Sequence, residues 1–197
     1  MPIPITIRQL TEFDRTALAR HFLLLGQEDR RLRFGVALAD SALRGAVDRI
    51  DFLHDAVFAV TGDDLEIVAA AHLAYNDRDG ELGLSVLTWH RRQGLGAGLL
   101  ARAHTHARNL GLRVLFVHCL SENGPMMHIA RRDGMRVISQ DAEADAFLDL
   151  EPADAVSRIS EALEQAVALF DYTLKSQLAA PRAIVRVMAS PQGTDEG

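Results

Sequence analysis

The stretch Arg91-Arg92-Gln93-Gly94-Leu95-Gly96-Ala97-Gly98-Leu99-Leu100 constrains this 197-residue chain more than any other. Before it, Glu81–Leu87 is a short apolar run ending at a polar turn, which reads as a strand. After it, apolar residues recur at Leu95, Leu99, Leu100, Ala103, Ala107 and Leu110, the spacing of one helix face, and Gly111 supplies a stop. Strand, glycine-rich turn and helix thus form one unit. The first turn of such a helix leaves N–H groups without partners at the electropositive end of the peptide dipoles. Gly94 and Gly96 lack a Cβ that would keep a phosphate away, and Arg91 and Arg92 add positive charge. The turn reads as a pyrophosphate cradle made by Arg91, Arg92, Gln93, Gly94, Leu95, Gly96 and Ala97.

Spacing separates the kinds of cradle. A P-loop closes on Gly-Lys-Ser/Thr, whereas Gly96 is followed by Ala97-Gly98. A dinucleotide fingerprint counted from Gly94 meets Leu99 where its third glycine belongs, and no acidic residue follows at the distance a ribose contact needs. An ordinary glycine-rich helix start is the plain alternative. The remaining pattern, R/Q-x-x-G-x-G/A, is matched by Arg91, Gly94 and Gly96, and it resembles the acetyl-CoA signature of the GNAT N-acetyltransferase superfamily. A second segment, Asn123 to Met135, is similar to the N-x-x-A-x-x-x-Y-x-x-x-G-F segment of the same family, with Asn123, Gly134 and an apolar residue at 135 in step. Two positions depart from it: Met126 replaces the alanine, and Ala130 stands where many members carry the tyrosine that protonates the departing thiolate. Asn-x-x-Met followed by that alanine resembles the bacterial protein lysine acetyltransferase branch. So does the arginine-rich segment Glu28–Phe34, whose plain reading is a solvated charged connector.

The resemblance implies an α/β (α+β) fold. Its central sheet would be mixed and mostly antiparallel, with strands four and five parallel and splayed, and with helices on both faces. In order along the chain, Ile3–Leu10 alternates as a first strand with Ile5 and Ile7 on one face. Thr11 and Asp14 resemble a capping box for a helix with Leu18, His21, Phe22 and Leu25 on one side, and Asp40 caps a helix carrying Leu43, Ala46, Val47 and Ile50. Ala56–Val60, Ile67–Tyr75 and the strand from Glu81 form an antiparallel meander joined by turns at Gly62-Asp63-Asp64 and Asn76–Gly80. Leu112–Leu120, a continuous apolar run, is expected to be buried on both faces and parallel to the fourth strand. Met135–Ser139 and Ala146–Leu150 complete the sheet.

Residues 1–150 form the expected GNAT domain and 151–180 an appended helix opening at Pro152. Its apolar residues Val156, Ile159, Leu163, Val167, Phe170 and Leu174 should be buried, against the domain or in a homodimer. Residues 181–197 are a tail with a short apolar stretch, Ile184–Met188, that could still dock, and the last residues, from Ser190, are expected to be disordered.

Composition narrows the function. The formal net charge of −6 argues against general nucleic-acid binding and suits a cationic acceptor such as an amine. Only Lys175 of the 21 basic residues is lysine, which fits the base composition of a source genome. The single cysteine, Cys119, excludes a disulfide framework and reads as a buried structural thiol rather than an acyl carrier. No basic-then-apolar leader opens the chain and no apolar run approaches membrane-spanning length, so a cytoplasmic enzyme without membrane contact is expected. No metal site is expected, because His104 and His106, two apart on a helix, cannot share a face.

Acetyl transfer to an amine needs a held acyl donor, a neutral amine and stabilisation of the developing oxyanion. A lysine amine has a pKa of about 10.4, so a base must take its proton. The resemblance places acetyl-CoA, the co-substrate, against the strand at Leu84, Ser85 and Val86, its phosphates on the cradle, with Asn123 as a further contact unless it merely caps a helix. Glu81 is the candidate base, a solvated glutamate being the plain reading. His72 and His118 stand in reserve, each more often a hydrogen-bonded core histidine. The acceptor is a primary amine, on a small molecule or a protein lysine. A non-catalytic acyl-CoA-binding regulatory module is the other reading, kept open by Ala130.

Overall fold

The computed structural model describes residues 5–188. Its centre is one sheet of seven strands in the order β1-β2-β3-β4-β5-β7-β6. β2 (Asp55–Thr61), β3 (Ile67–Tyr75) and β4 (Asp79–Val86) make the expected antiparallel meander, the last turn tied by Asn76, whose side-chain oxygen accepts from the amides of Arg78 and Asp79. α4 (Leu95–Leu110) crosses over to β5 (Val114–Leu120), which lies parallel to β4. That pairing covers only three positions, Asp79↔Val114, Gly80↔Leu115 and Glu81↔Phe116, after which the two strands part. β7 (Glu143–Asp149) lies between β5 and β6 (Arg136–Gln140), both antiparallel to it. The mixed α/β fold is the one anticipated.

Two apolar layers sandwich the sheet. On one side α4 and α5 (Gly124–Arg132) bury Leu99, Leu100, Ala103, Ala107, Met126 and Ala130 against Leu73, Leu82, Leu115 and Val117. On the other, α1 (Arg15–Leu23) and α3 (Asp40–Asp48) bury Leu18, Phe22, Leu43 and Val47 against Val57, Ala59 and Ile67. Burying a side chain of this size stabilises the fold by about 1.5–3 kcal/mol, so these two layers fix the helices on the sheet from whose parting strands the cleft is built.

Several expectations need correction. The segment Glu28–Phe34 is a helix, α2 (Gln27–Phe34), closed by Gly35 at φ +77°. Its charge is not idle: Arg30 donates to the carbonyls of Leu23, Leu25 and Leu38, satisfying acceptors at the end of α1 and in the loops on either side of α2. Asp40 is the first residue of α3 rather than its cap, since Ala39 holds the extended cap geometry. β1 is only Arg8–Gln9; Ile5 and Ile7 instead lie against Gly98. Leu110, at the end of the α4 stripe, is exposed. β5 is not buried on both faces: Leu115, Val117 and Cys119 are buried while His118 is exposed, because the parting from β4 uncovers that side.

The largest correction concerns α6, which runs from Ala155 to Met188, continuing through Pro181. Its apolar stripe does not face the domain. Val156, Ile159, Leu163, Val167, Phe170 and Leu174 are exposed, Leu163 at 62% and Phe170 at 72%, while Ala168 on the opposite side is 1% exposed. The domain instead holds the helix by polar contacts. Glu161 accepts from Arg102 at 2.6 Å, from His106 and from Asn109, and Arg108 pairs with Asp154 at 2.8 Å. Arg8 stacks on the Tyr172 ring at 4.0 Å. The expected disorder from Ser190 lies outside the described residues. Among the described residues no helix is long and apolar enough to cross a membrane.

Candidate active site

The parting of β4 from β5 creates an edge with unpaired backbone groups in the middle of a sheet. β4 continues to Val86, and a 3-10 turn at Thr88–His90 carries the chain to the mouth of α4. Arg92 and Gly94 both take positive φ, +61° and +80°, which reverses the chain and points the first amides of α4 outward. The first intrahelical bond is Gly98 N–H to Gly94 C=O at 2.9 Å, so the preceding amides have no partner of that kind.

A cleft of about 620 Å³ runs along this edge from the helix mouth to the parting of the strands. Leu84, Ser85 and Val86 line it from the strand, Arg91, Arg92, Gly94, Leu95, Gly96 and Ala97 from the mouth, and Asn123 from α5. Gln93, between two lining residues, does not reach it, and neither does Glu81, which lies beyond its inner end. The two arginines of the mouth differ. Arg91 forms an ion pair with Asp29 of α2, which also accepts from Thr88 Oγ at 3.1 Å. Arg92 makes no ion pair among the described residues and keeps its charge available. Asn123 is a helix cap: its side-chain oxygen accepts from the Met126 amide at 3.2 Å and its nitrogen donates to the Leu32 carbonyl, tying α5 to α2 across the cleft.

Residues 81, 83 and 85 share one face of β4. Ser85 is committed there. The buried His21 imidazole donates from Nδ1 to the Ile67 carbonyl at 2.8 Å, which fixes the tautomer and leaves Nε2 to accept from Ser85 Oγ at 2.8 Å. Burial holds this imidazole at a pKa of about 4, with the Arg33 charge adding to the depression against the Ile67 bond. Glu81 is exposed at the last paired position before the strands part. Around it stand the two reserve histidines. His72, opposite Gly83, donates from Nε2 to Asp55 at 2.9 Å and is kept below its ordinary pKa by burial, against the pull of Asp55, so it is neutral near pH 7. His118 donates to Asp145 at 2.7 Å, and that bond holds its pKa above the ordinary value. His104 and His106 are occupied by Asp133 and Glu161. Cys119 is buried, with its thiol pKa raised by burial.

Several cleft residues escaped the reading of the sequence, among them Arg132 of α5, which adds positive charge, His128 beside it on the same helix, and Arg33 of α2, which lines the inner end. A signal for the last was present: Asp29 and Arg33 are four apart, so a helix through that segment puts both on one face. Reading the segment as a connector hid it. Position 130 is an alanine buried in the core, so no hydroxyl is offered from there.

Comparison with known proteins agrees with the layout. A model of the acetyltransferase (GNAT) family matches residues 21–135. The fold is similar to that of the GNAT domain of PAT from S. lividans, with a TM-score of 0.63 at 19% identity over 73% of this chain and 89% of that one. It is similar to yncA of Salmonella typhimurium, a putative acetyltransferase solved with acetyl-CoA, with a TM-score of 0.59 at 16% identity over 78% and 98%. Spermidine N-acetyltransferase from Vibrio cholerae, solved with CoA and spermine, gives a TM-score of 0.60 at 15% identity over 74% and 95%. At these identities the likeness is one of fold. A search of curated proteins gives no match.

Proposed function

Because the chain belongs to the acetyltransferase (GNAT) family, we propose that it transfers the acetyl group of acetyl-CoA to a primary amine, with the cleft between β4 and α4 as the donor site and Glu81 as the base. The observation that carries this reading is the parting of two parallel strands beside a helix mouth with outward amides and an unpaired arginine. The fit is chemical as well as spatial. A diphosphate suits the amides of Gly94–Ala97 with Arg92 and Arg132, while the free edge at Leu84–Val86 offers backbone groups to an amide-containing arm. Acetyl-CoA supplies the activated acyl group.

The chain's own residues do the rest. The edge of β4 at Leu84–Val86 that has parted from β5 orients the donor and offers an N–H where negative charge develops on the carbonyl oxygen. Glu81 takes a proton from the ammonium directly or through one water, leaving the nitrogen lone pair free to attack. The C–N bond forms, the C–S bond breaks to release the thiolate of coenzyme A, and the second amine proton passes to solvent. A thiol of ordinary pKa, about 8.5, leaves without a dedicated acid near neutral pH, which is consistent with Ala130 in place of a hydroxyl donor. His72, neutral and oriented by Asp55, is the alternative base.

Two finer assignments belong to the same reading. Fold similarity to the PAT domain and the Asn-x-x-Met segment support placement near the protein lysine acetyltransferases, so lysine side chains join small amines as acceptors to be tried. The exposed stripe of α6 supports a homodimer, because a 3.6-residue apolar repeat on a free helix face is self-complementary. Thiol release from acetyl-CoA over an amine panel tests the activity. Turnover above hydrolysis that falls about 10²–10⁴-fold in Glu81→Gln, with donor binding kept, is expected; donor binding with no turnover on any amine would instead describe a regulatory module.

A further inference from the structure

Arg33 is a cation without a counter-ion at the inner end of the cleft. Its guanidinium lies flat on Gly83 of β4, so close that a methyl group there would overlap the guanidinium carbon and both terminal nitrogens. The Nε atom is buried and has no hydrogen-bond partner, and the group makes no ion pair among the described residues. Its neighbours do not neutralise it. His21 and His72 on the same face are held neutral, and Glu81, two residues along β4, attracts it only from beyond ion-pair distance. Every other arginine of α2 has a partner: Arg30 the Asp40 carboxylate and three carbonyls, Arg31 the carboxylates of Glu28 and Glu122. Enclosing a guanidinium without an anion is costly. A planar, permanently charged fork facing a ligand cleft is suited to a planar or tetrahedral oxyanion held by two parallel hydrogen bonds, and of these a carboxylate is the one an amine acceptor carries beside its nitrogen.

We propose that Arg33 binds a carboxylate of the acceptor, so that the amine acetylated at Glu81 belongs to a small amino carboxylate. The proposal rests on the acetyltransferase reading above. The acceptor is favoured over the acyl donor as the bearer of this carboxylate because Arg33 projects from α2 onto the face of β4 that carries Glu81, whereas the donor arm is held along the strand edge at Leu84–Val86. Positions 81 and 83 are separated by about 6.8 Å along the strand. One short molecule can therefore place its ammonium at the glutamate and its carboxylate on the arginine, each charge meeting its opposite.

The test compares glycine, β-alanine, 4-aminobutyrate and 5-aminopentanoate with their carboxamides and with a lysine peptide free of acidic residues, using acetyl-CoA and the full chain. At least one amino carboxylate should exceed its carboxamide tenfold or more in kcat/KM. Arg33→Gln should abolish that preference, bringing each amino carboxylate to the kcat/KM of its own carboxamide. Gly83→Ala, which keeps the charge but pushes the guanidinium off the strand, should reduce the preference as well. Calorimetry of the N-acetylated amino carboxylates with CoA present reads the same site without turnover, and should show binding that Arg33→Gln removes. No preference for any carboxylate, a preference that survives Arg33→Gln, or a lysine peptide that outperforms all four would overturn the proposal while leaving acetyl transfer intact. Selection of succinyl-CoA over acetyl-CoA that depends on Arg33 would assign the guanidinium to the donor and overturn it too.

Discussion

Single residues set the charge state of the β4 face. His21 must stay neutral, since it sits enclosed between Ile67 and Ser85 with burial holding its pKa near 4 against an ordinary 6.5. The unfolded chain therefore binds this proton first as pH falls. The histidine's contribution is complete above pH 6.5 and is lost as pH drops through about 4, with a slope on the order of 1.4 kcal/mol per pH unit. Thermal melts between pH 7.5 and 4 should show that loss, and His21→Gln should flatten it; an equal slope in the variant would place the acid sensitivity elsewhere. Gly94 is set by conformation rather than charge. At φ +80° a side chain is strained, so Gly94→Ala should cost about 1 kcal/mol of stability and misdirect the amides that follow. Titration calorimetry with CoA should show weaker binding than the native chain, and unchanged affinity would remove Gly94 from the cradle. This position was legible in the sequence, because a glycine between a strand and a helix is explained by few conformations. Arg33 was legible only in its four-residue spacing from Asp29, since burial and lack of a partner are tertiary facts that no local pattern encodes.

At the scale of elements, periodicity located the long strands and helices, missed α2 and overextended β1, and could not say which face of α6 meets the domain. The apolar stripe of that helix was readable at a 3.6-residue period. The surface it would meet was not, because Arg102, His106 and Asn109 of α4 recruit Glu161 from the opposite face. A charged site that already holds an ion pair and several hydrogen bonds outweighs an apolar stripe that a second copy could cover. Leu163→Glu with Val167→Glu should therefore leave the fold unchanged and shift the chain to monomer in light scattering; an unchanged mass would leave the stripe without a dimer role. Glu161 titrates in a separate window. Burial alone would raise its carboxyl, but bonds from His106, Asn109 and Arg102 outweigh that and hold it at about 2 against an ordinary 4.5. Its hold on α6 is full above pH 4.5 and is lost as pH falls through about 2. Hydrogen exchange within residues 155–175 should accelerate in that window, and earlier in Glu161→Gln. Exchange that stays unchanged with acid would show that Arg8 and Asp154 suffice.

For the whole molecule, the consequence of topology is that a sheet otherwise closed by hydrogen bonds is opened at one place. β4 and β5 pair at their starts and separate beside the mouth of α4, and the cleft is bounded there by α2, α4 and α5 from three sides. The order of most elements and the glycine turn at the mouth of α4 were recoverable from sequence because they depend on turns and repeats within about thirty residues. The inner end, which Arg33 lines and beyond which Glu81 lies on β4, depends on α2 arriving from far along the chain. The central claim is that the α4 mouth holds the diphosphate of coenzyme A, and calorimetric titration of the full chain with CoA and, in parallel, with pantetheine lacking the diphosphate tests it most directly. The account predicts saturable binding of CoA, at least a hundredfold weaker binding of pantetheine, and a marked loss of CoA affinity in Arg92→Ala. Equal binding of the two ligands, or no binding of CoA, would contradict it.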